Sequence, residues 1–384
     1  MKKVMMYSSI HPWKDARIFF KEAQSLSKEY EVDFYAVGTQ EDSQKYAADR
    51  LHLFLHQLAG RSGRFRLWRK LYQNVLKSDA VFYHFHDPEL LLLAPFIKRN
   101  KKQAILIYDM HENFPKSLKS KKWLPKWLRP IMAKYAKVVE RQLLKKVNGV
   151  IFAEKSYKSY YPDIIAEGKS IDIYNYPLMK DKELPTVLFA HSNVLKLVYI
   201  GRISEIRGIW EMLQAVKVLS ETRAVHLTLA GGIDEGLKKD IEKYIAQQHM
   251  TQLVTLHSYI EYAEIWTVYR ESDIGLCLLH PVPNYQESLA TKMFEYMASG
   301  LPMIISNFPL WQQFVNENQC GLTCDPQDVQ EIIEKIEQLA NSPETRTKYG
   351  RHSQQQFREK YNWHVEETKL LSFYRELEDK VIEQ

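Results

Sequence analysis

Two stretches of the chain hold side chains whose types and spacing suit an anionic ligand. The first is Val198-Tyr199-Ile200-Gly201-Arg202-Ile203-Ser204-Glu205-Ile206-Arg207-Gly208. An apolar run ends at Gly201, which permits a tight turn. Arg202 and Arg207 then offer guanidiniums, whose planar forks match phosphate oxygens. In the second stretch Glu287 lies in a loop, and Glu295 follows on a helix that begins near Leu289–Thr291. A helix start carries free N–H groups and attracts anions. Glu287 can accept hydrogen bonds from sugar hydroxyls, and Glu295, a turn or two inside the helix, can hold a ribose. The two arginines and the helix start would neutralise a diphosphate. The chain has no Asp-x-Asp motif, which agrees with cationic side chains standing where a metal would otherwise bind.

The first half holds a second group of chemically able residues: His11, Asp15, His84, His86, Asp87 and His111. His111 directly follows an apolar run, at a place where ligands gather. Asp87-Pro88-Glu89 reads as an N-cap, a proline at the first helical position and an early acid. His84 and His86 flank Phe85, so one of them is expected to face the ligand end and the other to pack. Asp15 stands between two readings, a cap on the first helix and a ligand contact. Cys277, Cys320 and Cys324 form neither a disulfide framework nor a four-ligand zinc set.

Taken in order, these residues resemble the retaining glycosyltransferases of family 4. In the second half the resemblance rests on Gly201-Arg202 with a basic residue and Gly208 beyond, on the pair Glu287 and Glu295, and on Phe294–Pro302 (FEYMASGLP). In the first half it rests on HPWKDARI, HFHDPELL and YDMHENFP, which look like a bacterial surface-polysaccharide branch. The resemblance implies an α/β fold of the GT-B type, two Rossmann-like doubly wound domains facing each other across a cleft. It implies that Arg202 and Arg207 grip the donor diphosphate, Glu287 contacts the transferred sugar and Glu295 the ribose. Gly201, Ser288, Leu289, Ala290 and Thr291 would meet sugar and phosphate, Tyr259 and Ile260 would lie near the base, and His111 would serve the reacting centre. His11, Asp15 and His86 are candidates for the acceptor side. Arg207 replaces the family's usual Lys, and Ser288-Leu289-Ala290 replaces its frequent Gly-Phe-Gly. The implied co-substrate is a nucleotide-diphospho sugar, UDP ahead of GDP, with no further cofactor and no metal. A sugar-nucleotide epimerase of the same fold and a non-catalytic sugar-nucleotide-binding scaffold are the alternatives.

The elements that must position these residues can be read from apolar periodicity. In the first half the β-rich runs are Val4–Tyr7, Val32–Val37, Ala80–Tyr83, Ala104–Tyr108, Val150–Phe152 and Ile171–Tyr174. After an irregular stretch at 177–193 come Leu195–Ile200, Val225–Ala230, Leu253–Leu256, Ile274–Leu278 and Pro302–Ile305. Helical patterns such as Ala16–Ser27 and Pro88–Lys98 lie between them. Continuous apolar strands alternating with helices predict parallel sheets covered on both faces. The expected organisation is an acceptor- and membrane-facing domain over 1–180, a nucleotide-sugar domain over 181–360 and a closing helix over 361–384. That helix, patterned over Phe357–Lys380, is expected to pack back on the first domain. Ligands bind beyond the carboxyl ends of strands in such sheets, where Arg202, Glu287 and His111 all fall.

The chain has 384 residues and a formal charge of +6. That mean conceals a split. Residues 1–185 hold 34 basic against 20 acidic residues, and the remainder 19 against 27. Most of the excess lies in 61–146, with 21 basic and 6 acidic residues. Within Lys116–Lys146 the only acid is Glu140, and Trp123, Leu124, Trp127, Leu128, Ile131 and Met132 are interleaved with the bases. Trp123, Lys126 and Trp127 suit a helix lying on anionic lipid. A solvated helix packing its tryptophans on the core is the competing reading. No nucleic-acid module is recognisable. The longest apolar run, Leu90–Ile97, is far too short to span a bilayer. With few cysteines and no secretory pattern at the start, a cytoplasmic location, peripheral on the inner face of the plasma membrane, is expected.

Overall fold

The computed structural model describes residues 1–39, 46, 49–57, 60–111, 113–120, 124–179, 184–187, 189, 193–258 and 260–382. The chain forms two compact units, Met1–Asn175 together with Trp363–Gln384, and Tyr176–Asn362. The sequence reading placed these limits at 180/181 and 360/361.

Seven parallel strands build the first unit: β1 (Lys3–Pro12), β2 (Glu31–Val37), β3 (Leu51–His56), β4 (Phe82–Phe85), β5 (Ile105–Met110), β6 (Gly149–Phe152) and β7 (Ser170–Asp172). Their order is β3-β2-β1-β4-β5-β6-β7. β4, β5 and β6 are buried at every position, as strands covered on both faces must be. The strand order reverses between β1 and β4, and that reversal opens a crevice at their carboxyl ends.

The second unit repeats the plan with six parallel strands: β8 (Leu195–Ile200), β9 (Val225–Ala230), β10 (Val254–His257), β11 (Ile274–Cys277), β12 (Met303–Ser306) and β13 (Gly321–Cys324). The order is β10-β9-β8-β11-β12-β13, so the reversal falls between β8 and β11. One core joins Leu197, Leu227, Ile274 and Ile304 of the sheet to Met212 and Val216 of one helix and Ile332 and Ile336 of another.

Two strands had no counterpart among the predicted runs. β3 alternates Leu with His and Phe and is mostly half-buried at the edge of its sheet. β13 has four residues, one of them glycine, and holds the other sheet's edge. Both lack the continuous apolar run that marks a central strand. The closing helix also differs from its predicted span. One helix ends at Glu359, and Asn362 Nδ2 donates to the carbonyls of Phe357 and Arg358. A second helix, Trp363–Ile382, then lies in the first unit. There Trp363 Nε1 donates to Ser25 Oγ, and Tyr374 is fully buried.

Candidate functional site

In the second unit, the reversal between β8 and β11 brings the predicted donor residues to neighbouring strand ends. Gly201 leaves β8 with φ +150°, in the region that favours glycine. Its N–H donates to Ala230 O, and the backbone of Gly231 passes so close that a Cβ there would meet Gly201 O. Arg202 follows and is exposed. Tyr199 Oη donates to Arg202 O at 2.8 Å, which fixes the turn. Arg207 ends the short helical turn Glu205–Arg207, is half-buried, and lies over the Tyr285 ring at 5.7 Å. Its Nε also donates to Tyr285 Oη at 3.3 Å.

β11 leads into a loop, a turn at Pro283–Gln286 and the helix Thr291–Ser299. Glu287 is exposed in that loop. Ser288 is held at both ends: its Oγ donates to Asn284 O, and its carbonyl accepts Trp311 Nε1 at 2.7 Å. Ala290 is the N-cap and supplies no side-chain acceptor, so the first N–H groups of the helix are left for a ligand. Glu295 is half-buried, and Tyr269 Oη donates to its Oε2 at 2.8 Å. Ile260 is half-buried in the loop after β10. Tyr259 lies outside the described residues.

The sequence reading passed over one cation. Lys292 is buried in the first turn of the same helix, with its ammonium 4.9 Å above the Tyr199 ring. A lysine one residue into an amphipathic helix ordinarily reads as solvated. Its position inside the Glu287–Glu295 interval was the available signal.

In the first unit three histidines converge. His111 follows β5, and its ring lies 5.3 Å from that of His11 and 5.2 Å from that of His86. His111 Nε2 is 2.7 Å from Asp109 Oδ2, and His86 Nδ1 is 3.3 Å from the same oxygen. His11 Nδ1 pairs with Asp87 Oδ1 at 2.9 Å. Burial pushes the Asp87 carboxyl up, but His11, Ser9 and Ser8 more than reverse this and hold it at about 2. Burial drives His86 down to about 4, so this ring stays neutral beside His111.

Two expectations are corrected here, for His84 with His86 and for Asp87, and one of the two readings of Asp15 is met. His84 and His86 do not face opposite ways. Residues two apart share a strand face, and their ring centroids lie 4.6 Å apart, tilted by 33°. His84 Nδ1 pairs with Tyr374 Oη at 2.8 Å. Asp87 makes no side-chain cap. Its carboxylate instead accepts Ser8 Oγ and the Ser9 N–H from the end of β1. Asp15 uses Oδ1 to accept the N–H groups of Arg17 and Ile18, so this oxygen caps the turn that starts the Ile18–Ala23 π-helix.

Glu22, His84, His86 and Asp109 are all buried, and their ligand atoms lie within 4.8 Å of one another, close enough to hold a metal ion. Arg17 already sits among them. It binds Asp109 through Nε and Nη2 at 3.1 and 2.9 Å and pairs with Glu22 Oε1 at 2.8 Å. Asp109 is thus the counter-ion of a fixed guanidinium, while burial and the Asp109 charge push the Glu22 carboxyl well above its ordinary range despite Arg17. Glu154, just past β6, was also missed by the sequence reading, and burial pushes its carboxyl up to about 7.

The basic segment forms a helix over Arg129–Leu144. Its inner side packs Ala133 and Met132 with Leu118 and Leu124, so Met132 does not join the outward stripe. That stripe is Trp127 (71% exposed), Ile131 (58%), Tyr135 (66%) and Val138 (56%). Lys126, Lys134, Lys137, Lys145 and Lys146 are exposed around it. Glu140, the segment's only acid, is buried, and its Oε2 accepts Tyr161 Oη. Trp123 lies outside the described residues.

Residues 181–356 match the family of glycosyl transferases, group 1. That matched stretch covers most of the second unit. Spore coat protein SA of Bacillus subtilis strain 168 is 25% identical over 231 residues, 58% of this chain and 57% of that protein. The chain thus spans little more than half the length of that curated relative. Among solved structures, sucrose-phosphate synthase from Thermosynechococcus elongatus superposes with a TM-score of 0.70 at 17% identity, covering 98% of this chain and 99% of that one. Anabaena HepE in complex with UDP gives 0.69 at 14% identity, covering 98% and 100%. The chain therefore has the GT-B fold, and its second unit places Gly201, Arg202, Arg207 and the Thr291–Ser299 helix at its own strand-order reversal.

Proposed function

We propose that the chain is a retaining, metal-independent glycosyltransferase of family 4. In this reading it moves a sugar from a nucleotide-diphospho sugar, UDP ahead of GDP, to a hydroxyl of a glycan or lipid-linked acceptor. The observation that carries the reading is the pairing of Arg202 and Arg207 with an uncapped helix start, Thr291, at the β8/β11 reversal. Cations and free N–H groups gathered at one strand end suit a leaving diphosphate. UDP is favoured because a structural neighbour was solved with it.

The bond from the anomeric carbon to the β-phosphate oxygen breaks first, and the electron pair leaves with the diphosphate. Arg202, Arg207 and the helix start stabilise that charge as it develops. The acceptor oxygen bonds to the anomeric carbon on the same face, and its proton passes to the departing phosphate oxygen. No side-chain nucleophile is used. Glu287 contacts the moving sugar and Glu295 the ribose. Ser288 to Thr291 supply backbone N–H groups, and Ile260 and Tyr259 border the base. His111 orients the sugar, and His11 and His86 support it on the acceptor side.

Synthesis of surface polysaccharide at the inner face of the plasma membrane fits the exposed Trp127–Val138 stripe. Apolar side chains rimmed by lysines, with the only local acid turned inward, suit an anionic lipid surface. No helix among the described residues is long and apolar enough to cross a membrane. The test is turnover of a panel of UDP and GDP sugars with lipid-linked acceptors, with analysis of the anomeric configuration. Transfer with retention is expected. Conversion of the donor without acceptor, or binding without turnover, would overturn the reading.

A further inference from the structure

Lys292 is a cation without an anion. It is 8% exposed, and among the described residues it makes no ion pair and donates no hydrogen bond; its ammonium lies over the Tyr199 ring. A π-face is a weak substitute for the water that a buried ammonium gives up. A lysine kept in this state implies a partner of opposite charge.

The place of the ammonium says what that partner is. Its Nζ lies against Gly201, so close that a Cβ there would stand 2.7 Å from Nζ and 3.1 Å from Cε. The ammonium thus lies against the backbone just past β8. Lys292 is also the second residue of the Thr291–Ser299 helix, so its ammonium accompanies the free N–H groups of that helix start. Arg207 approaches from the other strand: Lys292 and Arg207 both act on the Cys277 thiol at the end of β11. Burial still dominates there and pushes the thiol up to about 11.

We propose that Lys292 is a third diphosphate-binding cation, reaching the donor from the helix side of Gly201 as Arg202 and Arg207 do from the loop. This rests on the donor reading above and deepens it. The Tyr199 ring and Gly201 hold the ammonium in place before the donor arrives, so its side chain needs little ordering on binding. Its contacts are specific to the diphosphate. The base and ribose lie toward Ile260 and Glu295.

The test compares diphosphate with monophosphate binding by calorimetry, using UDP against UMP and GDP against GMP. Lys292→Met keeps the stem and removes the charge. It is expected to weaken the bound diphosphate by roughly 10- to 100-fold, and the matching monophosphate by less than about 3-fold. Lys292→Arg is expected to restore part of the loss. Equal losses for diphosphate and monophosphate would make Lys292 structural, and an unchanged diphosphate affinity would remove it from the site. Either result overturns the proposal while leaving the donor reading intact. A wild-type protein that binds none of the four nucleotides takes both down. Binding is measured on protein whose melting temperature is known, and the diphosphate-to-monophosphate ratio, which a change in stability alone does not move, is the deciding quantity.

Discussion

His111 Nε2 stands 2.7 Å from Asp109 Oδ2, and Arg17 grips both oxygens of the same carboxylate through Nε and Nη2. One buried aspartate thus orients the histidine at the end of β5 and neutralises a guanidinium that is itself 4% exposed. Burial pushes the Asp109 carboxyl up, but Arg17 and His111 outweigh it and hold it well below the usual range.

Asp109→Asn keeps the shape and removes the charge, leaving Arg17 with Glu22 and the Ile173 carbonyl. Breaking a buried pair on one side costs several kcal/mol, and a loss of roughly 3 kcal/mol is expected here. Urea unfolding of the two proteins measures it. A variant as stable as the parent would show that Glu22 suffices for Arg17.

Glu154 gives a pH signature. Its carboxyl is held at about 7, against 4.5 when unperturbed, because it is desolvated. The folded state therefore binds this proton more tightly than the unfolded state does. The resulting stability is full below about 4.5 and is lost as pH rises through about 7. Glu154→Gln removes this dependence. Between pH 5 and pH 8 the melting temperature of the parent should fall by more than that of the variant. Parallel curves would place Glu154 in water.

Arg202 is exposed and bonds no carboxylate among the described residues, so Arg202→Ala should fold normally. Removing one donor aimed at developing charge costs about 100- to 1000-fold in turnover. A sugar-nucleotide assay beside a melting curve separates chemistry from folding, and near-normal turnover would take Arg202 out of the reaction.

The outward stripe can be tested without Trp123. Trp127→Ser with Ile131→Ser removes two apolar anchors and leaves the lysines in place. Co-sedimentation with vesicles rich in anionic lipid should drop sharply, while neutral vesicles should retain little of either protein. Undiminished sedimentation on anionic vesicles would leave charge alone as the cause, at about 1 kcal/mol per basic residue near the surface.

The two doubly wound units were legible because central parallel strands are apolar at every position. Val4–Tyr7, Leu195–Ile200 and Ile274–Leu278 each advertise burial on both faces. The edge strands β3 and β13 were not, since an edge buries less and its sequence alternates or shortens. Among site residues, Arg202 and Arg207 could be placed at a strand end because the preceding run stops at a glycine. Asp87 could not be read correctly. Asp-Pro-Glu satisfies every local rule for a helix start, and only the sheet order shows that Ser8 and Ser9 of β1 lie beside it and claim the carboxylate. Lys292 stayed hidden for a related reason, because what buries it, Tyr199 and Gly201, comes from another strand.

The first unit is discontinuous in the chain, and this has a consequence for biosynthesis. Tyr374, whose hydroxyl meets His84, is made only after all of Tyr176–Asn362. On the ribosome the inserted unit can fold while the earlier one still lacks Trp363, Leu370 and Tyr374 from its core. The histidine cluster is therefore completed from the far side of the sequence. A nascent chain that stalls after the inserted unit would carry a finished second unit and an open, apolar-faced sheet, a species suited to chaperone capture.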